Sequence, residues 1–317
     1  MNPDSSQSRL WRGLGLGMLA AAFFSVSFVL SRQMAEANGH WAWTASLRFL
    51  MMLPMLLGIL VVRGRWSDLW QAWKAAPLGW IVWGTVGCGL FYVPLVAACA
   101  ISPAWVVAGS WPVAIVIGIV IAPWLYDDHR RHIPRRALGY SSLIVIGVML
   151  LQVGQAREVA LGPVLVGLML VLVSATAHPI GNRMSMQLME KQQLRPDAVI
   201  RLTALTIGSL PAWLALCAWG WFQAGWPPAA QWSGSLIVAA CGVIATPMFY
   251  AATQSVSREP EALAAVEATQ AAEILFTLLF EAILIGIHPP DVFGIVGLAV
   301  IIGGILMHAA PRRSLRT

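Results

Sequence analysis

Apolar runs of transmembrane length alternate with short polar connections along the whole chain, near 12 to 34, 41 to 62, 77 to 100, 103 to 125, 137 to 153, 160 to 184, 197 to 221, 233 to 256, 261 to 286 and 291 to 309. A helix rises 1.5 Å per residue and the hydrocarbon core of a bilayer is about 30 Å thick, so runs of about 20 apolar residues predict spanning helices. The connections carry turn residues, including Asn38-Gly39, Ser102-Pro103, Ile133-Pro134, Pro227-Pro228, Glu259-Pro260 and His288-Pro289-Pro290. None is long enough for a soluble domain. Trp41, Trp43, Trp105, Trp124, Trp221, Trp226 and Trp232 gather near the predicted ends, where an amphipathic ring prefers the membrane interface. Between 63 and 76, Trp66, Trp70 and Trp73 share one helical face beside Arg63, Arg65 and Lys74, which predicts a helix lying along the surface.

Composition agrees with this pattern. Of 317 residues, 58% are hydrophobic and 11% charged, with a mean hydropathy of +0.73; soluble domains carry roughly 25% charged residues. The net charge of +6 comes from short basic clusters between apolar runs, without an aromatic-rich basic face for nucleic acid. Cys88, Cys99, Cys217 and Cys241 all lie in apolar runs without metal-ligand spacing, so packing is their expected role, and neither metal nor cofactor is implied. The first run follows Arg9 and Arg12 and continues past Val29 into Ser31-Arg32 without a cleavage pattern, so it is expected to remain as the first membrane helix.

Basic residues also predict orientation. With the N-terminus inside, the inner connections hold Arg9, Arg12, Arg63, Arg65, Lys74, Arg130, Arg131, Arg135, Arg136, Arg183, Lys191, Arg195, Arg258, Arg312, Arg313 and Arg316. Arg32 and Arg157 fall outside, and Arg48 and Arg201 lie within helices. Both termini are therefore expected in the cytoplasm, with the chain in the plasma membrane, the inner membrane of a bacterium.

An internal repeat emerges when residues 1–155 are laid on 156–317. Leu47-Arg48-Phe49 matches Ile200-Arg201-Leu202, Phe91-Tyr92 matches Phe249-Tyr250, Ser102-Pro103 matches Glu259-Pro260, and Ile146-Gly147-Val148-Met149-Leu150 matches Gly303-Gly304-Ile305-Leu306-Met307. Five helices per half is an odd number, so the second half is expected upside down relative to the first. The predicted fold is thus all-α, with ten transmembrane helices in two inverted repeats, as in many carriers whose substrate sits near the midplane.

An ionisable residue inside a membrane helix costs about 2.5 to 3.5 kcal/mol on insertion scales, so it needs a partner, water or a function. Glu267, Glu273 and Glu281 are the carboxylates that fall inside predicted spans. With Gln270 and Thr277 they occupy an arc of about 120° on a continuous ninth helix, a polar stripe turned from lipid. Measured from Glu261, Glu267 lies about 9 Å deep, Glu273 about 18 Å deep and Glu281 near the far boundary. Glu273 is nearest the middle, where a carboxyl group can bind and release a proton and exchange it for a cation. Hydrogen bonding to neighbouring helices is the plainer role for all three.

Arg48 and Arg201 hold equivalent places in the two halves and offer bidentate donors to those carboxylates or to an anionic substrate. Both are also close enough to helix ends to snorkel to the interface. His178-Pro179 joins a titratable ring to a kink and either lines a cavity or packs, while Asn182 and Arg183 one turn on form a gate or merely the helix end. Trp111 and Tyr92 can present aromatic faces to an organic cation, or simply pack, and Tyr250 is a candidate to line the cavity.

The chain resembles the drug/metabolite transporter superfamily, in its ten-helix branch of two EamA-type repeats, and within that branch the multidrug resistance efflux transporter family. The stretches that carry the resemblance are Gly39-His40-Trp41 with Ser46-Leu47-Arg48-Phe49 and Met52-Leu53-Pro54, then Pro103-Ala104-Trp105-Val106-Val107-Ala108-Gly109, Pro179-Ile180-Gly181-Asn182-Arg183, and Glu267-Ala268-Thr269-Gln270 to Glu273. The resemblance implies transport. Ten-helix relatives often carry a Gly-Glu pair at the end of the fourth and ninth helices; here Asp127 stands near the first position and Ile287 replaces the second. Small relatives place their proton-binding Glu in the first helix, which here has none in its membrane portion.

The resulting expectation is a secondary carrier exporting a lipophilic or cationic small molecule in exchange for protons. A permease or exporter for an amino acid or a nucleotide-related anion, using Arg48, is the alternative. A polytopic membrane enzyme is a remote one, since the chain has no HExxH, no intramembrane Asp pair and no Ser-His-Asp set. A substrate sensor without transport is a further class.

Overall fold

The structure is a computed structural model that describes residues 3–102, 107, 109–153, 161–194, 197–284 and 291–310, without the side chains of 3–6, 151–153, 281, 282 and 284. Trp105, Arg157, Arg195, Ile287, His288, Arg312, Arg313, Arg316 and the side chain of Glu281 therefore lie outside the described residues. What is described is helical throughout.

The elements are α1 (Pro3–Glu36), α2 (Trp41–Val62), α3 (Trp66–Ala75), α4 (Pro77–Gly84) continued through a π turn (Thr85–Leu90) into α5 (Phe91–Ile101), α6 (Val113–Val120), α7 (Ala122–Leu125) and α8 (Arg135–Val153). They are followed by α9 (Leu161–Lys191), α10 (Ala198–Gly208), α11 (Leu210–Ala224), α12 (Ala229–Ser255), α13 (Pro260–Ala268), α14 (Ala272–Leu284) and α15 (Val292–Ala309). Among the described residues seven helices are long and apolar enough to cross a membrane, or eight if the bent pair α10–α11 forms one span. Sequence periodicity predicts ten. The difference lies in two runs: the fourth is broken at Trp111-Pro112 into short pieces, and the fifth, α8, is 19 residues long and opens on Arg135-Arg136.

Local chemistry explains the breaks and ends. Asn38, at φ 62, ends α1 in the left-handed region that Asn tolerates, and His40 then caps α2 by accepting from the Ala42 N–H. Gly64, at φ 62, closes α2 while the Arg65 N–H bonds the Leu60 carbonyl. Pro94 has no N–H for the Leu90 carbonyl, and the turn it disturbs is wound as the π segment ending at Leu90. Pro211 likewise leaves the Ile207 carbonyl without its helical donor, where α10 and α11 bend by 50°. Between α13 and α14 the chain tightens into a 3-10 turn at Thr269–Ala271.

The helices pack across the two halves of the chain. α1 lies on α12 and α14; α9 lies on α5 and α6. α2 contacts α12, α10 contacts α4, and α8 pairs with α15. Close approach depends on glycine: a Cβ on Gly181 of α9 would fall 2.2 Å from Gly87 Cα, and one on Gly208 of α10 only 2.1 Å from the Trp80 carbonyl oxygen. The main core gathers Phe49, Tyr92, Trp213 and Phe249, with Phe49 stacked on Trp213 at 4.4 Å. α3 buries Leu69 and Ala72 and exposes Trp66 and Trp70, as a surface helix should.

One end of the molecule is ringed with charge. Arg63 pairs with Asp197 at 2.9 Å, Arg130 with Glu190 at 2.9 Å and Arg9 with Glu259 at 3.1 Å. Since Arg63 follows α2, Asp197 precedes α10 and Glu259 precedes α13, those three helix ends lie on the same side.

Gly181→Ala should lower the melting temperature in detergent by several degrees, the equivalent of about 1 to 3 kcal/mol of overpacking. Gly139→Ala in α8, where a Cβ meets nothing within 4 Å, should leave it unchanged.

Candidate functional site

A cavity of about 50 Å³ lies where α1, α2, the π turn, α5, α9, α10, α12 and α14 converge. The helices bring an aromatic wall to it. Phe91 packs against Trp111 at 5.4 Å and against His178 at 4.7 Å, and His178 meets Phe249 at 5.8 Å. Phe24 closes on Phe249 at 6.5 Å, and Phe49 on Tyr92 at 5.5 Å. Such a surface suits an apolar or aromatic guest.

Two ionisable side chains stand in this wall. Glu273 and Arg48, 5% and 4% exposed, both line the cavity. They face the same cavity without forming an ion pair. Neither side chain hydrogen-bonds to any described residue. Ser27 Oγ, Arg48 Nε, Tyr92 Oη and Trp111 Nε1 are all buried around the cavity without a hydrogen-bond partner among the described residues. Gln270 also lines it and is fastened to His178, with their Nε2 atoms 3.0 Å apart. Gly242 makes room for Arg48: a Cβ there would sit 3.2 Å from a guanidinium nitrogen.

Tyr250 lines the cavity as well, whereas Glu267, Thr277, Asn182, Arg183 and Arg201 are not among its lining residues. Glu267 forms an ion pair with Arg183, Oε2 to Nη2 at 2.7 Å and Oε1 to Nε at 3.3 Å, and Arg183 Nη1 also donates to the Gly118 carbonyl. This buried strut ties α9 to α13 and α6. The 3-10 turn separates Glu267 from Glu273, so the polar stripe expected on one straight helix is divided between the strut and the cavity. Thr277 is buried and donates to the Glu273 backbone carbonyl.

Neither intramembrane arginine snorkels. Arg201 is 1% exposed; its guanidinium lies 3.9 Å over the Tyr250 ring and donates to Gln254 at 3.2 Å and Asn182 at 3.1 Å. Arg48 lies 4.3 Å over Tyr92. Sequence reasoning left out Phe24, Phe28 and Cys88, whose only signal was membership of apolar runs, and the π turn, marked by Gly87-Cys88-Gly89.

Beyond Tyr250, at the end ringed with charge, opens a vestibule of about 1040 Å³ lined by Arg9, Arg12, His129, Glu190 and Arg258 among others. At its rim Asp128 is held below the usual carboxylate range by the hydrogen-bonded guanidinium of Arg130. Among the described residues no group of three or more His, Cys, Asp or Glu could hold a metal ion.

The chain is similar to known proteins. Residues 11–314 match the family model described as "EmrE: Putative multidrug resistance efflux transporter". The chain is 38% identical over 315 residues to the uncharacterized protein YjlA of Bacillus subtilis (strain 168), covering 95% of this chain and 96% of that protein. It is 37% identical over 265 residues, 81% of this chain and 69% of the relative, to an uncharacterized 42.1 kDa protein of Shouchella clausii. A crystal structure 18% identical in sequence shares the fold with a TM-score of 0.65, over 93% of this chain and 95% of its own. A multi-pass helical membrane protein whose match runs almost from end to end, this chain belongs to the multidrug resistance efflux transporter family of small-molecule transporters.

Proposed function

We propose that the chain is a proton-coupled carrier that exports lipophilic or cationic small molecules, with Glu273 holding proton and substrate in turn. The observation that carries this reading is a carboxyl group, 5% exposed in an aromatic cavity, that accepts no hydrogen bond from any described residue. A carboxylate so placed is satisfied by a proton or by the positive group of a guest. Arg48 makes the two exclusive. With Glu273 ionised, the two fixed charges cancel and a cation is tolerated; with Glu273 protonated, the uncompensated Arg48 charge repels it. Proton and cation therefore exchange instead of binding together.

Alternating access is the motion this reading requires. The pattern of helix packing supports two inverted five-helix halves, 1–155 and 156–317, and thus ten spans. Exchanging the halves turns the α1–α12 contact into α9–α5, the α1–α14 contact into α9–α6, and the α2–α12 contact into α10–α4. The α8–α15 pair maps onto itself. The arginine-rich end, with the vestibule, is then the cytoplasmic face by the excess of positive charge.

A second reading, export of an amino acid or another anionic metabolite, is favoured by the Arg48 guanidinium, which hydrogen-bonds to no described residue and faces the same cavity. If it holds, Arg48→Ala abolishes flux of the anion in proteoliposomes. Flux that persists rejects it.

For the leading reading, Glu273→Gln should insert and melt like the parent while substrate-induced proton release from proteoliposomes falls to the protein-free background. Release at the parent level would remove Glu273 from the mechanism. Glu267→Gln should behave in the opposite way. It leaves Arg183 buried and unpaired, at a cost of about 3 to 5 kcal/mol, so its melting temperature falls sharply. Replacing both partners with apolar residues, Arg183→Met with Glu267→Leu, should restore most of that loss.

A further inference from the structure

The cavity and the vestibule have a single lining residue in common among those described, Tyr250. On its vestibule side lies Arg201, which lines the vestibule and not the cavity. The phenol ring, with the Arg201 guanidinium over it, therefore stands between the two spaces. Three helices hold it: Arg201 comes from α10, Tyr250 and Gln254 from α12, and Asn182 from α9.

The same pairing recurs within the cavity wall itself. Arg48 on α2 lies over Tyr92 on α5 at 4.3 Å, against 3.9 Å for Arg201 over Tyr250. Both members correspond in the two halves of the chain, arginine to arginine and tyrosine to tyrosine. Their depths are also opposed. Arg201 is three residues into α10 from the vestibule end, about 5 Å, whereas Arg48 is seven residues into α2 from the far end, about 10 Å.

The two stacks differ in how they are fastened. Arg201 donates to both Asn182 and Gln254, while Arg48 donates to no described residue. Ser27 in α1, on the same cavity wall, has a buried hydroxyl with no hydrogen-bond partner among the described residues. One stack is fastened by its neighbouring helices; the other is not.

We propose that Arg201–Tyr250 and Arg48–Tyr92 are the two gates of one path, closed in alternation. Each arginine acts as a tethered cation on a tyrosine face. When the far gate closes, Arg48 takes Ser27 as Arg201 now takes Asn182, and Arg201 releases its amides as Tyr250 swings aside. A cationic guest competes for the same ring face that the arginine covers, so its arrival loosens the gate it meets. The proposal rests on the carrier reading, but its test does not need transport.

The test uses a full-length chain whose four native cysteines are replaced by serine and which carries Thr246→Cys, on the cavity wall one turn from Tyr250. In vesicles of known sidedness, a membrane-impermeant maleimide is added on the vestibule side or the opposite side. Tyr250→Ala and Arg201→Gln should each raise labelling from the vestibule side by about tenfold or more, with no change from the other side. Tyr92→Ala, at the gate that is unfastened here, should leave labelling from the vestibule side near the parent, and Tyr250→Phe, which keeps the ring, should do the same. Labelling from the vestibule side within about twofold of the parent in Tyr250→Ala or Arg201→Gln overturns the gate, as does faster labelling from both sides in any of the variants. If Tyr250→Ala does not insert, Arg201→Gln decides alone. A one-sided increase without any substrate-driven proton release would keep the gate and reject the proton-coupled carrier.

Discussion

The structure is governed by the cost of holding charge inside a membrane. Each buried ionisable group must be compensated within the protein, because neither lipid nor bulk water will do it. This chain shows three solutions side by side. Arg183 and Glu267 neutralise each other, with the Gly118 carbonyl taking a remaining donor. Arg201 is held by an aromatic face and two side-chain amides, which spread its charge without cancelling it. Arg48 and Glu273 are left facing one cavity, out of contact and short of partners. The first is a strut; in the proposed mechanism the second can let go and the third receives the guest.

Backbone irregularity gathers in the same region. The π turn at Thr85–Leu90 and the 3-10 turn at Thr269–Ala271 both adjoin the cavity, and the break at Trp111-Pro112 adds a third side chain to its wall. Regular helices would place Gly87, Gln270 and Glu273 in other registers. A π turn also loosens the usual hydrogen-bond ladder, and Pro94 prevents its repair. Where the halves cross, glycine lets backbones touch: Gly87 on Gly181, Gly84 near the Leu205 carbonyl, and Gly208 near Trp80. Close crossings pivot on little side-chain bulk, so the path can change shape without repacking a core.

Hydropathy made most of the fold legible, because spanning length and lipid exposure write themselves into composition. The polar stripe at Glu267, Gln270, Glu273 and Thr277 was legible for the same reason, and all four are buried. Its partition was not. A uniform 100° per residue cannot anticipate a local 3-10 turn, whose only trace is Thr269-Gln270-Ala271 in an otherwise ordinary helix. The partner of Glu267 was hidden too: Arg183 is 84 positions away, and its place at the end of a predicted helix suggested a gate or a terminus. Arg201 looked like a snorkelling side chain because its distance from the helix end was visible, while Asn182 and Gln254, which hold it inside, come from other helices. The fourth and fifth runs show the converse limit, since average hydropathy passes over a Trp-Pro break and two arginines at a helix start.

Mobility follows from the same ledger of charge. A coupling group must have two satisfied states of similar energy, so it cannot already be committed to a strong fixed partner. The Glu267 carboxylate is committed to Arg183 through two hydrogen bonds, and releasing it would strand two charges at once. Glu273 has no such commitment, and Arg48 differs from Arg201 in this same respect. Both unfastened groups face the cavity, and both fastened ones lie beyond its wall. In the proposed cycle, a substrate entering between Glu273 and Arg48 meets the part of the charge network that can change partners, while the Arg183–Glu267 strut and the fastened Arg201 keep their places until the proposed gate moves.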